Sequence, residues 1–327
     1  MKLATLRDGK PDGVLLVVSR DLQRAVRADG VAATLQAALD DWERTAPRLE
    51  ALYAALQSDD VAGAFRVDHA RLAAPLPRAF GWIDSSVYLN HMELARQLRG
   101  ATVPDAYRRE PLMSPRMPSP FLGPRDPLVL PPGDVGLDIE GEVAVIVDAV
   151  PARTSLAAAG GHIKLLMLVN DASLRTIFAK EMAEGKTGYL GKTSASFSPV
   201  AVTPDELADA WTGGTIALPL VCHVNDTLLG KPNAAVDMSF DFRDLVSHAT
   251  STRPLGVGTV IATGTVSNRD RTAGSACIAE RRMIETLESG APRTAYLGVG
   301  DTFRIEMLDA SGASVFGAIA QRVVGNG

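Results

Sequence analysis

The stretch LDIEGEVAVIV, residues 137 to 147, sets the strongest constraint on this chain. Ile139, Val143, Val145 and Val147 make it read as a strand destined for the interior, yet it carries Asp138, Glu140 and Glu142. Side chains alternate between the faces of a strand, so the three acids point the same way. Carboxylates one pleat apart on a buried face repel one another and lose their hydration. They survive there mainly when a cation compensates them. The fold must bring other residues to this face to hold or supply that cation.

At 327 residues, with 46% hydrophobic and 22% charged content, the chain can bury one large core and support a smaller unit beside it. A net charge of −5 and a pI of about 5.6 argue against a nucleic-acid or membrane-surface binder, which needs a basic face. No run of about 18 apolar residues occurs, and the N-terminus moves straight into polar turn residues, so a cytoplasmic protein is expected. The two cysteines, Cys222 and Cys277, sit in apolar stretches and are too few for a disulfide framework or a thiolate zinc site.

MKLATLRDGKPDGVLLVVSR reads as a hairpin with a Gly/Pro/Asp turn. VAATLQAALDDWERTAPRLEALYAALQ has helical spacing with a break expected near Pro47. Residues 1–72 are thus a small α+β unit, and 73–327 form the large one. Between 111 and 133, eight prolines predict a rigid loop of the kind that walls an active site. Beyond it, strands are expected at FSPVAV, TIALPLVCHVND, AAVDMSFDF, GTVIATGTVSN, TFRIEMLD and SVFGAIAQRVV. Helices are expected at the start of SLAAAGGHIKLLMLVND, in ASLRTIFAKEMAEG and near FRDLVSHATST. Many short strands, few helices and no βαβ alternation predict a β-dominated α+β fold.

Several motifs that suggest other chemistry fail on context. GKTGYLGKTS does not have the spacing of a phosphate-binding loop and follows a helix-like stretch, and no G-x-S-x-G elbow anchors a serine triad. His69, His162, His223 and His248 are scattered singly and read as structural or surface residues. The acids are different. Asp171 ends the apolar run LLMLVND at a strand-to-helix corner, where it could also cap the helix. Asp84 precedes a helix-like stretch and has the same two roles open to it. His91 lies seven residues further on, two helical turns along the same face. Oxygen ligands with no sulfur and little histidine select a hard cation, Mg²⁺ first and Mn²⁺ or Ca²⁺ next. A nearby histidine not needed as a ligand is then free for general-base work.

D-x(6)-H at 84–91, E-G-E at 140–142, N-D at 170–171, LGK at 190–192, and GTVSN at 264–268 followed by GSACIAE together resemble the fumarylacetoacetate hydrolase family. The resemblance covers roughly residues 75 to 325, and the hairpin-led N-terminal unit resembles the small domain of longer members. It implies a β-roll or sandwich core, a homodimer, and a divalent cation held by Glu140, Glu142 and Asp171, with Asp84 as the additional aspartate of the hydrolases proper. It also implies cleavage of carbon–carbon bonds in β-diketo or acylpyruvate acids, while related members decarboxylate, hydrate or isomerise similar 2-oxo acids. A non-catalytic protein with a relic metal site is the reading from another class.

On this reading His91 deprotonates a water, with Glu93 or Glu280 orienting the imidazole, and Lys192 lies near the developing negative charge. Arg99, Ser114, Phe178, Met182 and Thr265 form the expected substrate-facing set. The chain also departs from the family pattern. GKTSAS replaces GKSFGTT, so Ala195 and Ser196 stand where a Gly-Thr pair helps hold the metal site. Phe178 and Met182 replace a glutamine and a tyrosine, and Ser114 stands near the place of the wall tyrosine. The metal chemistry is expected to be retained on a changed substrate surface.

Overall fold

Alternating small and branched residues on either side of a Gly-rich turn give the chain its first element. In the computed structural model, which describes residues 1–58, 61–117 and 120–326, β1 (Lys2–Leu6) and β2 (Val14–Val18) pair antiparallel as the predicted hairpin. β3 (Arg24–Arg27), α1 (Leu35–Asp40), α2 (Trp42–Gln57) and a short β4 (Phe65–Arg66) complete the N-terminal unit. The helical stretch breaks at Asp41, with φ −136° and ψ 50°, and not at Pro47, which lies inside α2. Pro47 is the sixth residue of α2, so the helix forgoes one N–H bond there and continues past it. The hydroxyl of Thr45 ties the corner by donating to the carbonyls of Ala38 and Asp41.

The larger part begins with β5 (Gly81–Ser85), α3 (Leu89–Gln97), β6 (Met113–Pro115), β7 (Leu128–Leu130), β8 (Leu137–Asp138) and β9 (Gly141–Val147). Then come α4 (Leu156–Ala159), β10 (Ile163–Asn170), β11 (Ser173–Leu174), α5 (Arg175–Ala183), β12 (Ser196–Phe197) and β13 (Ala201–Val202). The chain closes with β14 (Leu220–Val224), β15 (Thr227–Gly230), α6 (Phe242–Ala249), β16 (Thr259–Ala262), α7 (Ile278–Ser289), β17 (Thr302–Met307) and β18 (Ile319–Gly325). AAVDMSFDF forms no strand, because Asp237 turns the chain there at φ 60°. Among the described residues no helix is long and apolar enough to cross a membrane. Pro118 and Ser119 of the proline-rich stretch lie outside the described residues.

An 11-stranded sheet runs in the order β4-β3-β2-β1-β13-β10-β9-β16-β5-β6, with β12 also paired to β10. A second sheet runs β15-β14-β17-β18-β7. The fold is therefore the expected β-dominated α+β class. The N-terminal strands extend the large sheet rather than forming a sheet of their own, through pairing of Lys2 with Val202 and Leu3 with Ala201. β9 is buried on both faces: Val143, Val145 and Val147 enter one apolar cluster, and Ala144 and Ile146 another that includes Leu35, Leu49 and Leu56 of α1 and α2. Each fully buried branched side chain contributes about 1.5–3 kcal/mol. That burial holds the strand in place with acids at its end.

Candidate active site

Strand register gathers the acids. β10, β9, β16 and β5 are consecutive in the sheet, and Asp84 near the end of β5 pairs with Ala262, which pairs with Ala144 of β9. Glu142 near the start of β9 pairs with Val169, and Asp171 follows directly after β10. Carboxylate oxygens of Asp84, Glu142 and Asp171 thus lie within 4.8 Å of one another, all three residues buried. Asp84 caps no helix: it is a strand residue, and α3 begins after Tyr88. Nor is Asp171 a cap, since Leu174 precedes α5.

Charge compensation in this triad is incomplete. Burial and then the neighbouring Asp84, Asp171 and Glu140 push the Glu142 carboxyl well above its ordinary range. Among the described residues it accepts one hydrogen bond, from the backbone N–H of Gly264 at 3.2 Å. Burial also raises Asp84 to about 6, although Arg116 opposes the shift. Among the described residues, Asp84 Oδ1 is buried without a hydrogen-bond partner. Acceptor-only oxygens, mutually repelling and partly unsatisfied, are what a hard divalent cation requires, so these residues fit one. Gly264 is required at its place: at φ +80°, an added Cβ would meet the Ser85 carbonyl oxygen at 2.1 Å.

Glu140 lies beside the triad and is already paired. Arg175 reaches one of its oxygens at 2.6 Å and Lys192 bonds the other, and against the effect of burial these cations hold its carboxyl far below the ordinary range. Lys192 also contacts Asp171 at 2.6 Å. Arg116 bonds Asp84 and lies 3.3 Å from Asp171. It comes from the described part of the proline-rich segment, which does wall the site. Sequence reasoning missed both arginines; their residue types are common, and only the tertiary fold turns them toward the acids.

Asp138 also belongs elsewhere. Fully buried, it accepts the N–H groups of Ile278 and Ala279 at the start of α7 and the Nε–H of Arg175 at 2.8 Å. By fixing the N-terminus of α7 it fixes Glu280, whose Oε2 lies 2.8 Å from Nδ1 of His91 on α3. Glu280 thus holds the imidazole, whereas Glu93 faces the surface arginines Arg108 and Arg269. Asn90, beside His91, anchors α3 by donating to Ser267 and to the carbonyl of Asn268.

A cavity of about 180 Å³ brings together Asp84, His91, Glu140, Glu142, Lys192 and Thr265, with Arg116, Arg175 and Phe178 also on its wall. Phe178 packs across Gly188 and Gly191, where any Cβ would collide with it. Three expected substrate-facing residues line neither this cavity nor its neighbour. Ser114 pairs through its backbone with Asp84 on β6, Met182 is 48% exposed on α5, and Arg99 lies exposed beyond α3. Ala195 and Ser196 are buried behind the site, Ala195 on the wall of a second cavity.

A family model described as fumarylacetoacetate hydrolase C-terminal matches residues 85–324, and one described as fumarylacetoacetase N-terminal domain 2 matches residues 1–78. The human oxaloacetate tautomerase FAHD2B, mitochondrial, is 30% identical over 160 residues, 48% of each chain, so the chain spans about half the length of the curated relatives it matches. Among solved structures, maleylpyruvate hydrolase from Sphingobium sp. SYK-6 in complex with manganese (II) ion and pyruvate covers all of both chains at 21% identity and TM-score 0.68. Fumarylacetoacetate hydrolase from Exiguobacterium antarcticum also covers both fully, at 21% identity and TM-score 0.67. These structural likenesses establish the fold.

Proposed function

The chain belongs to the fumarylacetoacetate hydrolase family, and on that premise we propose a divalent-metal-dependent hydrolase that cleaves a carbon–carbon bond in a β-diketo acid of the fumarylacetoacetate or acylpyruvate kind. The supporting observation is the His91–Glu280 pair on the wall of the acidic cavity. A carboxylate at Nδ1 keeps the proton there, leaving Nε2 as the acceptor, and stabilises the imidazolium that forms. His91 can then take a proton from water attacking the distal carbonyl and return it to the departing carbon.

Asp84, Glu142 and Asp171 would hold the cation, Mg²⁺ first and Mn²⁺ or Ca²⁺ next, with Glu140 alongside. When bound, the cation supplies Lewis-acid polarisation of the 2-oxo acid oxygens. Lys192, fixed between Glu140 and Asp171, places a second positive charge where negative charge develops. Thr265 offers a hydroxyl to the substrate carboxylate from the same cavity. A cytoplasmic homodimer belongs to this proposal; a monomeric mass by light scattering at micromolar concentration would overturn the dimer.

The tautomerase names among the relatives favour a second reading, in which the same base moves a proton beside a carbonyl without water attack. Product analysis separates the two. With Mg²⁺ or Mn²⁺ and a β-diketo acid, loss of the enol chromophore should yield two fragments; a single isomeric product transfers the assignment to proton transfer alone. His91→Ala should lower turnover by about 10²–10⁴-fold while metal content stays at the wild-type level. Full turnover in that variant removes His91 from the mechanism.

A further inference from the structure

A second cavity, of about 470 Å³, adjoins the first and shares Arg116 and Lys192 with it. Its walls come from β5, the proline-rich segment and the loop after α5. Trp82, Met117, Phe121, Tyr189, Leu190 and Ala195 give it an apolar surface. Trp82 and Phe121 stack edge-on at 6.0 Å and both lean on Phe197, so this wall is rigid. Its mouth gathers Met117, Tyr189 and Leu190, each 58–62% exposed, around one opening.

The distribution of charge within this cavity is uneven. Arg116, Asp171 and Lys192 all lie at the shared end and are paired with one another. No other lining residue among those described is charged. A carboxylate placed deep in this cavity would lose its hydration and meet no free cation. A hydrocarbon or aryl group would gain from burial against Trp82 and Phe121.

We propose that this cavity is the subsite for the distal end of the substrate, and that the substrate is a monocarboxylic 2-oxo acid with an uncharged alkyl or aryl tail, not a dicarboxylate. The proposal rests on the reading of the adjoining acidic cavity as the reaction site, and it fixes the substrate class of that site.

Two non-cleavable probes of equal length test it: 2-oxooctanoate and 2-oxooctanedioate, titrated calorimetrically into the Mn²⁺-loaded protein. The monocarboxylate should bind about 10- to 100-fold more tightly. Tyr189→Arg, which sets a cation at the exposed mouth, should shrink that ratio by about tenfold. Met117→Arg does the same from the proline-rich segment and serves if Tyr189→Arg lowers the melting temperature. Equal or reversed affinities in the wild-type protein, no binding of either acid, or an unchanged ratio in a folded arginine variant would each overturn the subsite. Because binding is read without turnover, a preference for the monocarboxylate combined with no cleavage of β-diketo acids would leave the subsite standing and remove only the hydrolase reading.

Discussion

Asp138 and Glu140 differ from Glu142 in one respect that their common burial conceals. All three lie within five residues on one stretch, residues 138 to 142. Asp138 is satisfied by two helix N–H groups and Arg175, and Glu140 by Arg175 and Lys192. Glu142 has one long backbone donor and two other carboxylates for company. Burial alone therefore does not mark a cation site. Unmet compensation does, and the boundary between the two conditions falls between Glu140 and Glu142.

The contrast predicts opposite responses to substitution. Glu142→Gln should abolish metal binding and activity together, while the metal-free protein keeps or raises its melting temperature. Burial and the neighbouring carboxylates push this carboxyl well above its ordinary range, which favours its neutral form, and an amide resembles that form. Retained metal content, by elemental analysis, would break the comparison. Next in size, Arg175→Met should destabilise the protein by about 3–5 kcal/mol in denaturant titration, since it removes the cation shared by two buried carboxylates. A stability loss under 1 kcal/mol would show that Asp138 and Glu140 do not depend on it.

The smallest effect concerns Asp84. Its folded pKa is raised from 3.8 to about 6, so the metal-free fold retains a proton that the unfolded chain releases above about pH 4. Stability from this group is thus present at low pH and falls as pH rises from about 4 to 6. The difference in melting temperature between wild type and Asp84→Asn should follow that slope without metal and lose it with saturating Mg²⁺. A slope of the opposite sign would place Asp84 among the compensated acids.

Local pattern made the hairpin, the central strand, His91 and the acids at 84, 140, 142 and 171 legible in the sequence, while Lys192 came only with the family resemblance. The sorting of those acids was not legible, because it depends on Arg116 and Arg175. Arg116 reaches Asp84 from the neighbouring β6 segment, and Arg175 turns back on Asp138 and Glu140 from the start of α5. The choice of Glu280 over Glu93 depended on Asp138 fixing a helix that begins 140 residues later, which no local spacing encodes. For Asp84 the sequence left a cap role open beside that of a ligand, because a polar residue before a helix is often a cap; here four residues of chain separate it from α3. The break at Asp41 was missed for the converse reason, since proline outweighs aspartate in any local rule.

The seam where β1 meets β13 has a consequence for how the molecule ages and assembles. β13 also pairs with β10, which leads into Asp171, so without the N-terminal hairpin an unpaired row of backbone donors and acceptors would lie one strand from the reaction centre. Such a row is a template for another chain to join. β1 covers that row, so the sheet continues into the hairpin instead of ending beside the acids.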